Sequence, residues 1–309
     1  MNLNPSTQTV LYEHKEIFNQ LSALYKNDNL PNNILLSGEK GVGKSTLAYH
    51  LINFVLSENE DYSYDCEKNK ISSENKSYKL IQNKSNPNFY LIDVLDDKKN
   101  IDINQIRELI INLSKSSFNK KNRFVLIDNI ELLNINSINA LLKILEEPNQ
   151  NINFILINNN KRVLPTLKSR CLNFKVFLTR DQTFRIINQL LNDDINNVIN
   201  NELFDNYMTP GKLFKLIKLS EEYNFDLLNF NLNKTLKTII KDKIYKKDKS
   251  LIEIIYSFIE LYFRNNISSE NINLLKSYHY FLEKINNTKI YNLDEEILFM
   301  EFERKILNG

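Results

Sequence analysis

The sequence predicts an α/β domain built on a five-stranded parallel sheet, followed by a small helical domain and a C-terminal all-helical domain. Three observations predict it. Short apolar runs alternate with segments of helical periodicity up to residue 178. A glycine-rich turn, Gly38 to Gly43, separates the first of those runs from the helix after it. Beyond Phe177 the apolar runs stop and only helical spacing remains. Alternation of this kind is the pattern of a parallel sheet with helices on its faces.

The elements follow in order. Residues 14–25 place Ile17, Phe18, Leu21, Leu24 and Tyr25 at helical spacing. Pro31 breaks that pattern, and residues 33–37 read as a buried strand. A helix begins near Lys44, with Leu47, Leu51, Ile52 and Val55 on its inner face. Residues 57–86 are rich in Ser, Asn, Lys and Glu and show little periodicity, which predicts an inserted, mobile loop. Residues 89–95 form the second expected strand, 123–128 the third, 152–157 the fourth and 172–177 the fifth. Asp102 and Gln105 make a capping-box pattern opening a helix whose face is Ile106, Leu109, Ile110 and Leu113. Residues 137–147 read as a helix ended by Pro148. Thr179 and Gln182 repeat the capping-box pattern, and Thr209-Pro210 starts a further helix. Domain boundaries are expected at 1–178, 179–222 and 223–309.

Composition narrows the function classes. The 309 residues carry 42% apolar side chains, enough for a sizeable core. Lys+Arg is 40 against Asp+Glu 38, a net charge of +2, so no global pull toward phosphate backbones is expected. The two cysteines, Cys66 and Cys171, form no C-x-x-C pair and predict neither a disulfide framework nor a zinc site. The first ten residues lack the apolar core of a signal peptide, and no apolar run approaches a membrane span. A cytoplasmic protein is expected. With only 5 Gly and 6 Pro, each one that remains is expected to be structurally required.

Gly38-Glu-Lys-Gly41-Val-Gly43-Lys44-Ser45 fits G-x-x-x-x-G-K-[ST], with a strand before it and a helix after it. The chemistry needs these residue types. Glycines let backbone N–H groups turn inward around a phosphate. The helix N-terminus adds partial positive charge. Lys44 is expected to reach the β- and γ-phosphates, Ser45 to offer its hydroxyl to Mg²⁺, and Thr46 to follow in the same turn. Three of the five glycines lie in these eight residues, which argues against a chance turn. Asp128 closes the third strand and is expected as the Mg²⁺-side carboxylate; the alternative is a strand-end aspartate capping the next turn.

Ser137-Ile-Asn-Ala-Leu-Leu-Lys-Ile-Leu-Glu-Glu-Pro148 resembles the N-A-L-L-K-x-L-E-E-P block of bacterial clamp-loader AAA+ subunits, and Ser169-Arg170-Cys171 resembles their S-R-C motif. The order and spacing of these blocks with the phosphate loop and Asp128 match that family across residues 1–178. Within it, the chain is most similar to subunits of the delta-prime type, and residues 41–49 resemble those of alphaproteobacteria. The resemblance implies an AAA+ core, a lid and an oligomerising collar. It implies ATP and Mg as cofactors, and a hetero-pentamer with tau/gamma and delta subunits of DNA polymerase III. That ring opens the sliding clamp and places it on primer-template DNA in replication. The resemblance also makes Arg170 an arginine finger reaching a neighbour's ATP site in trans, and Asn159 the sensor-1 residue.

Three departures bear on the subtype. The active ATPase of the family has Asp-Glu where this chain has Asp128-Asn129, and Glu131 lies two residues too far on to match. The lid arginine called sensor 2 is replaced near Pro210-Gly211-Lys212, with Lys212 displaced by about one residue. The four-cysteine zinc module is missing, residues 57–86 taking its place. All three point away from a tau/gamma-type ATPase motor, the alternative, and intrinsic ATPase is expected to be weak. A stand-alone P-loop kinase ranks last because it needs no Ser169-Arg170-Cys171 block. Cys171 reads as a packing residue. The lysine-rich stretch 234–249 reads as a solvated helix face rather than a DNA contact, because acidic residues are interleaved. His14, His50 and His279 are isolated and receive no role.

Overall fold

The computed structural model describes residues 3–95, 98, 100–115, 121–147, 151–200, 203, 208–247, 251–267, 272–291 and 293–308. Pro148 and Lys249, named above, lie outside the described residues. The chain divides into two compact units, Met1–Ile186 with Thr209–Gly211, and Ile187–Met208 with Lys212–Gly309. Among the described residues no helix is long and apolar enough to cross a membrane.

The first unit is built on a sheet of five parallel strands: β1 Asn33–Ser37, β2 Phe89–Ile92, β3 Arg123–Ile127, β4 Ile152–Asn158 and β5 Leu172–Lys175, in the order β2-β3-β4-β1-β5. The inner strands are apolar on both faces, as a sheet covered on both sides requires. Phe124 to Ile127 are buried, as is every residue of β4. One core packs Leu35, Val125, Ile127, Phe154 and Leu156 against Ile106 and Leu109 of the helix Ile103–Ser114 and Leu141 and Leu145 of the helix Ile135–Glu146. Cys171 packs at its edge, where burial pushes the thiol up to about 11. The register sets Ser37 beside Asn158 and Ile127 beside Leu156, so the chain leaves β1, β3 and β4 at one edge of the sheet. In open parallel sheets that carboxyl-end edge is where ligands bind.

Local signals fix the helix starts. Asp102 accepts from the N–H groups of Asn104 and Gln105, while Gln105 reciprocates to the Asp102 N–H. Thr179 and Gln182 close the second capping box at 2.8 and 3.2 Å. The helix expected from Ser137 starts at Ile135 instead, because Asn134 accepts from the Ser137 N–H at 2.8 Å and serves as the cap. The helix Lys44–Leu56 is buried nearly all round, as a central helix is.

The expected mobile loop at 57–86 is corrected. The segment is folded, with a helix at Lys76–Gln82 and buried Tyr64, Asn69, Ile71, Asn75 and Ser77. Polar pairs hold it. Asn75 caps that helix through the Tyr78 N–H, accepts from Asn53 at 2.9 Å and donates to the Tyr62 carbonyl at 2.7 Å. Glu60 accepts from both the N–H and hydroxyl of Ser77. Tyr64 pairs with His50 at 3.0 Å and packs its ring on Phe18. A segment held by hydrogen bonds shows no apolar period to read.

In the second unit, Leu251–Asn266, Ile272–Tyr291 and Glu295–Phe302 are helices joined by an aromatic core. Phe263 meets Tyr278, Phe281 and Phe302, and Phe299 meets Tyr245 and Tyr256. Of the lysine-rich stretch, Lys234, Lys237 and Lys241 border an open groove with Asp242 and Glu303, while Lys243 and Lys246 pair with Glu296.

Asn75→Ala should cost about 2–4 kcal/mol, since it removes a helix cap, strands the buried Asn53 amide and loses the bond to the Tyr62 carbonyl. Urea denaturation against wild type measures it. An effect below about 0.5 kcal/mol, the level of an ordinary surface change, would show that the network does not hold the segment.

Candidate functional site

The phosphate loop begins where β1 ends. The Gly38 N–H donates to the Asn158 carbonyl at 3.2 Å, and a Cβ on Gly38 would lie 2.0 Å from the Val176 carbonyl oxygen. Gly41 and Gly43 have φ of +90° and +95°, a region side chains disfavour. Gly43 is the N-cap of the helix Lys44–Leu56, so loop N–H groups and helix N-terminus converge, the arrangement that binds anions. Gly211 packs on Gly41. Four of the five glycines of the chain therefore meet at this one place.

Lys44 is almost fully buried, and its ammonium donates to the carbonyls of Gly38 at 2.9 Å and Glu39 at 2.6 Å. Burial lowers its pKa to about 8, against the pull of Asp128, Glu131 and Glu39. Ser45 donates its hydroxyl to Asp128 at 2.8 Å, and Thr46 follows half-buried in the first turn. Burial raises the Asp128 carboxyl, opposed by the Ser45 hydroxyl and the Asn129 N–H. The structure thus brings together Gly38, Gly41, Gly43, Lys44, Ser45 and Asp128 at the end of β1.

A second polar group adjoins them. Asn159, after β4, donates its side-chain amide to Asn129 and Glu131, each at 2.8 Å, and its N–H to Glu131 at 3.3 Å. Asn129, at φ +57°, passes its own amide to Asp93 at 2.8 Å. Sequence spacing placed Glu131 outside the motif, yet Asn159 holds its carboxylate. The short helical turn Ile130–Leu132 brings Glu131 back toward the strand ends.

Arg170 follows the helical turn Pro165–Lys168. Asn33 anchors its backbone, donating to the carbonyls of Arg170 at 3.0 Å and Leu145 at 2.9 Å. The guanidinium donates to the Thr166 carbonyl at 2.7 Å and pairs with Glu146. These partners all lie outside the phosphate loop. Sequence reading also missed His14, whose ring contacts the Val42 carbonyl at 2.6 Å. Periodicity carries no trace of it; the only usable signal was the scarcity of glycine, which marked Gly211.

Lys44 sets a pH dependence. Its folded pKa of about 8 lies below the ordinary 10.5, so the unfolded chain holds this proton more tightly. The resulting cost to stability is full below about pH 8 and fades as pH rises toward 10.5. The stability of Lys44→Met relative to wild type should therefore be highest at pH 7 and fall toward about pH 9.5, read from urea midpoints. A relative stability that rises over that range would contradict the buried ammonium.

Comparison with known proteins identifies the family. The family described as DNA polymerase III, delta subunit, matches residues 13–178. The DNA polymerase III subunit gamma of Buchnera aphidicola subsp. Schizaphis graminum is 34% identical over 165 residues, 53% of this chain and 43% of that protein. The subunit delta' of Pseudomonas aeruginosa is 32% identical over 138 residues, 44% of this chain and 40% of that protein. A delta' subunit from the same Buchnera is 23% identical over 286 residues, 87% of this chain and 83% of that protein. The matches to the first two span less than half of those relatives' length. The family match takes in more than half of this chain, with the whole sheet, the phosphate loop and Arg170, and the chain belongs to the DNA polymerase III delta subunit family of clamp-loader proteins.

Proposed function

We propose that the chain is a delta-prime-type clamp-loader subunit that holds Mg-nucleotide, turns it over weakly by itself, and supplies Arg170 to a neighbouring ATPase subunit. What carries the reading is the presence, within the one matched segment, of an intact phosphate loop and the Ser169-Arg170-Cys171 turn. The residues fit Mg-nucleotide. Gly43 caps the helix Lys44–Leu56 at the loop's end, Lys44 sits beside the loop, and Ser45 with Asp128 offers two oxygens to a cation. Bound Mg-nucleotide supplies the phosphoanhydride and the cation; the chain contributes the donors that orient it. Asn159 is the proposed sensor 1. Asn129 cannot act as a base, which supports weak turnover.

The partners proposed are tau/gamma and delta subunits in a hetero-pentamer that loads the sliding clamp onto primer-template DNA. Residues 179–222 are proposed as the lid and 223–309 as the collar. Exposed apolar side chains support a collar. Ile290, Tyr291 and Leu293 are exposed, and Ile297 and Met300 lie one turn apart on one helix, opposite buried Leu298, Phe299 and Phe302. Clustered apolar exposure of this kind marks an interaction surface. A second reading, a tau/gamma-type motor, draws on the 34% identical gamma relative and on Glu131 held by Asn159.

Two contacts hold the Arg170 guanidinium, the Thr166 carbonyl and Glu146. Its pair with Glu146 is half-exposed, and such pairs contribute about 0–1 kcal/mol. Its Nε is buried with no partner. In complexes reconstituted with tau/gamma, delta, clamp and primed DNA, Arg170→Ala should keep assembly and lower ATP turnover. The loss should be less than the ~10³-fold of one isolated finger, because other sites keep theirs. Equal turnover would remove the finger. The purified chain alone should bind ATP yet turn over slowly, and fast turnover lost in Glu131→Gln would favour the motor reading. Ile297→Asp with Met300→Asp should block co-purification with tau/gamma and delta while far-UV circular dichroism stays unchanged.

A further inference from the structure

Three successive carbonyls of the phosphate loop are each taken by a donor from a distant part of the first unit. The Thr209 hydroxyl donates to the Lys40 carbonyl at 2.8 Å. The Gly211 N–H donates to the Gly41 carbonyl at 3.0 Å. The His14 Nε2 meets the Val42 carbonyl at 2.6 Å, and because a carbonyl only accepts, Nε2 carries the proton.

The consequence follows from the planar peptide. The C=O of one residue and the N–H of the next point in opposite directions across a trans peptide. Fixing the carbonyls of Lys40, Gly41 and Val42 therefore turns the N–H groups of Gly41, Val42 and Gly43 away from the three donors. Those N–H groups are the ones an anion-binding loop must present. Thr209 is fully buried and His14 nearly so, which shields their bonds from water and strengthens them.

Each donor is itself held. The His14 N–H donates to the Tyr12 carbonyl, and the His14 carbonyl accepts from Phe18 at the start of the helix Lys15–Lys26. Its neighbour Glu13, at φ +57°, is gripped by two nitrogens of Arg185. At the other side, the backbones of Gly41 and Gly211 touch. A Cβ on Gly211 would lie 2.8 Å from the Gly41 Cα, and one on Gly41 would lie 2.6 Å from the Thr209 hydroxyl oxygen. Gly211 is glycine for this approach alone, since its own φ is not positive.

We propose that His14, Thr209 and Gly211 are positioning residues that hold the phosphate loop in its anion-binding arrangement before any nucleotide arrives. The proposal rests on the reading that this loop binds nucleotide phosphates, but the brace itself is measurable without nucleotide. Glycine-selective ¹⁵N labelling of the full chain gives at most five backbone amide signals, two of them Gly41 and Gly43. In the nucleotide-free wild type their order parameters should be near the rigid value of about 0.85. Thr209→Val and His14→Leu should each lower them toward about 0.6. Thr209→Ser and His14→Gln, which keep a donor, should restore them. Affinity for Mg-ADP, measured by titration calorimetry, should fall about 3- to 10-fold in Val and Leu variants and recover in the conservative ones, as expected for losing one hydrogen bond of ordinary strength. Unchanged order parameters in both Thr209→Val and His14→Leu overturn the brace. Loss without rescue by Ser and Gln also overturns it, pointing to packing instead. A wild type that binds no nucleotide but shows the loop effect leaves the brace standing and defeats the nucleotide reading.

Discussion

Close approach of backbone to backbone is the constraint on which this protein's site depends. At residues 38–43 the loop touches three other stretches of main chain or ring with no side chain between them: Val176 at Gly38, Gly211 at Gly41, and His14 at Gly43. The contacts at Gly38 and Gly41 require a missing Cβ, and a Cβ on Gly43 would lie 3.2 Å from the His14 ring. A chain with 5 glycines has placed four of them here, and it tolerates asparagine or lysine at positive φ elsewhere, as at Asn59, Lys84 and Asn151. Those residues lie at φ between 52° and 66°, whereas Gly41 and Gly43 lie at +90° and +95°, so glycine here serves both the backbone angle and the contact.

The sheet converts that constraint into a site. With β1 between β4 and β5, the loop after β1 is flanked by the ends of those two strands, and the end of β3 lies one strand further on. Asp128 and Asn159 arrive at the loop because of strand register, not because of anything in their local sequence. The hydrogen bonds then divide the polar residues into two sets. Ser45 donates to Asp128, whereas Asn159 donates to Glu131 and to the Asn129 amide oxygen, Asn129 donates its amide to Asp93, and the Asn129 N–H joins the two sets at Asp128. An amide at position 129 can donate and accept at once, so it links Asp93 to Asn159 where a carboxylate would repel Asp93.

What the sequence made legible was local. Both capping boxes, the inner strands and the phosphate loop depend on residues within a few positions of one another, and each was readable. The ends of the second, third and fifth strands were read too long. The second was expected to reach Leu95 but stops at Ile92, because the Asp93 side chain turns to Asn129. Residues 57–86 were unreadable for a different reason: Asn75, Ser77 and Glu60 hold that segment by hydrogen bonds, and hydropathy sees only polarity. The braces on the loop join residues 28 and 169 positions apart, a separation at which single-sequence patterns carry nothing.

Energetics fit the proposed reading, in which the site is built first to hold a nucleotide. An ammonium kept in a buried pocket is costly, and Lys44 lowers that cost only by bonding to the carbonyls of its own loop. A bound phosphate removes the penalty by supplying opposite charge where the lysine already lies. A loop whose carbonyls are already bound elsewhere loses little further freedom when that phosphate arrives, so less of the binding energy is spent on ordering. Neither effect speeds bond cleavage, because both act on the ground state as much as on the transition state. Rate requires a group that responds to charge developing during the reaction, and the residue after Asp128 is an amide tied at both ends. On the proposed reading, a subunit of this kind stiffens its own loop with nucleotide and contributes to turnover elsewhere, through Arg170, whose half-exposed partner Glu146 can be exchanged for a phosphate.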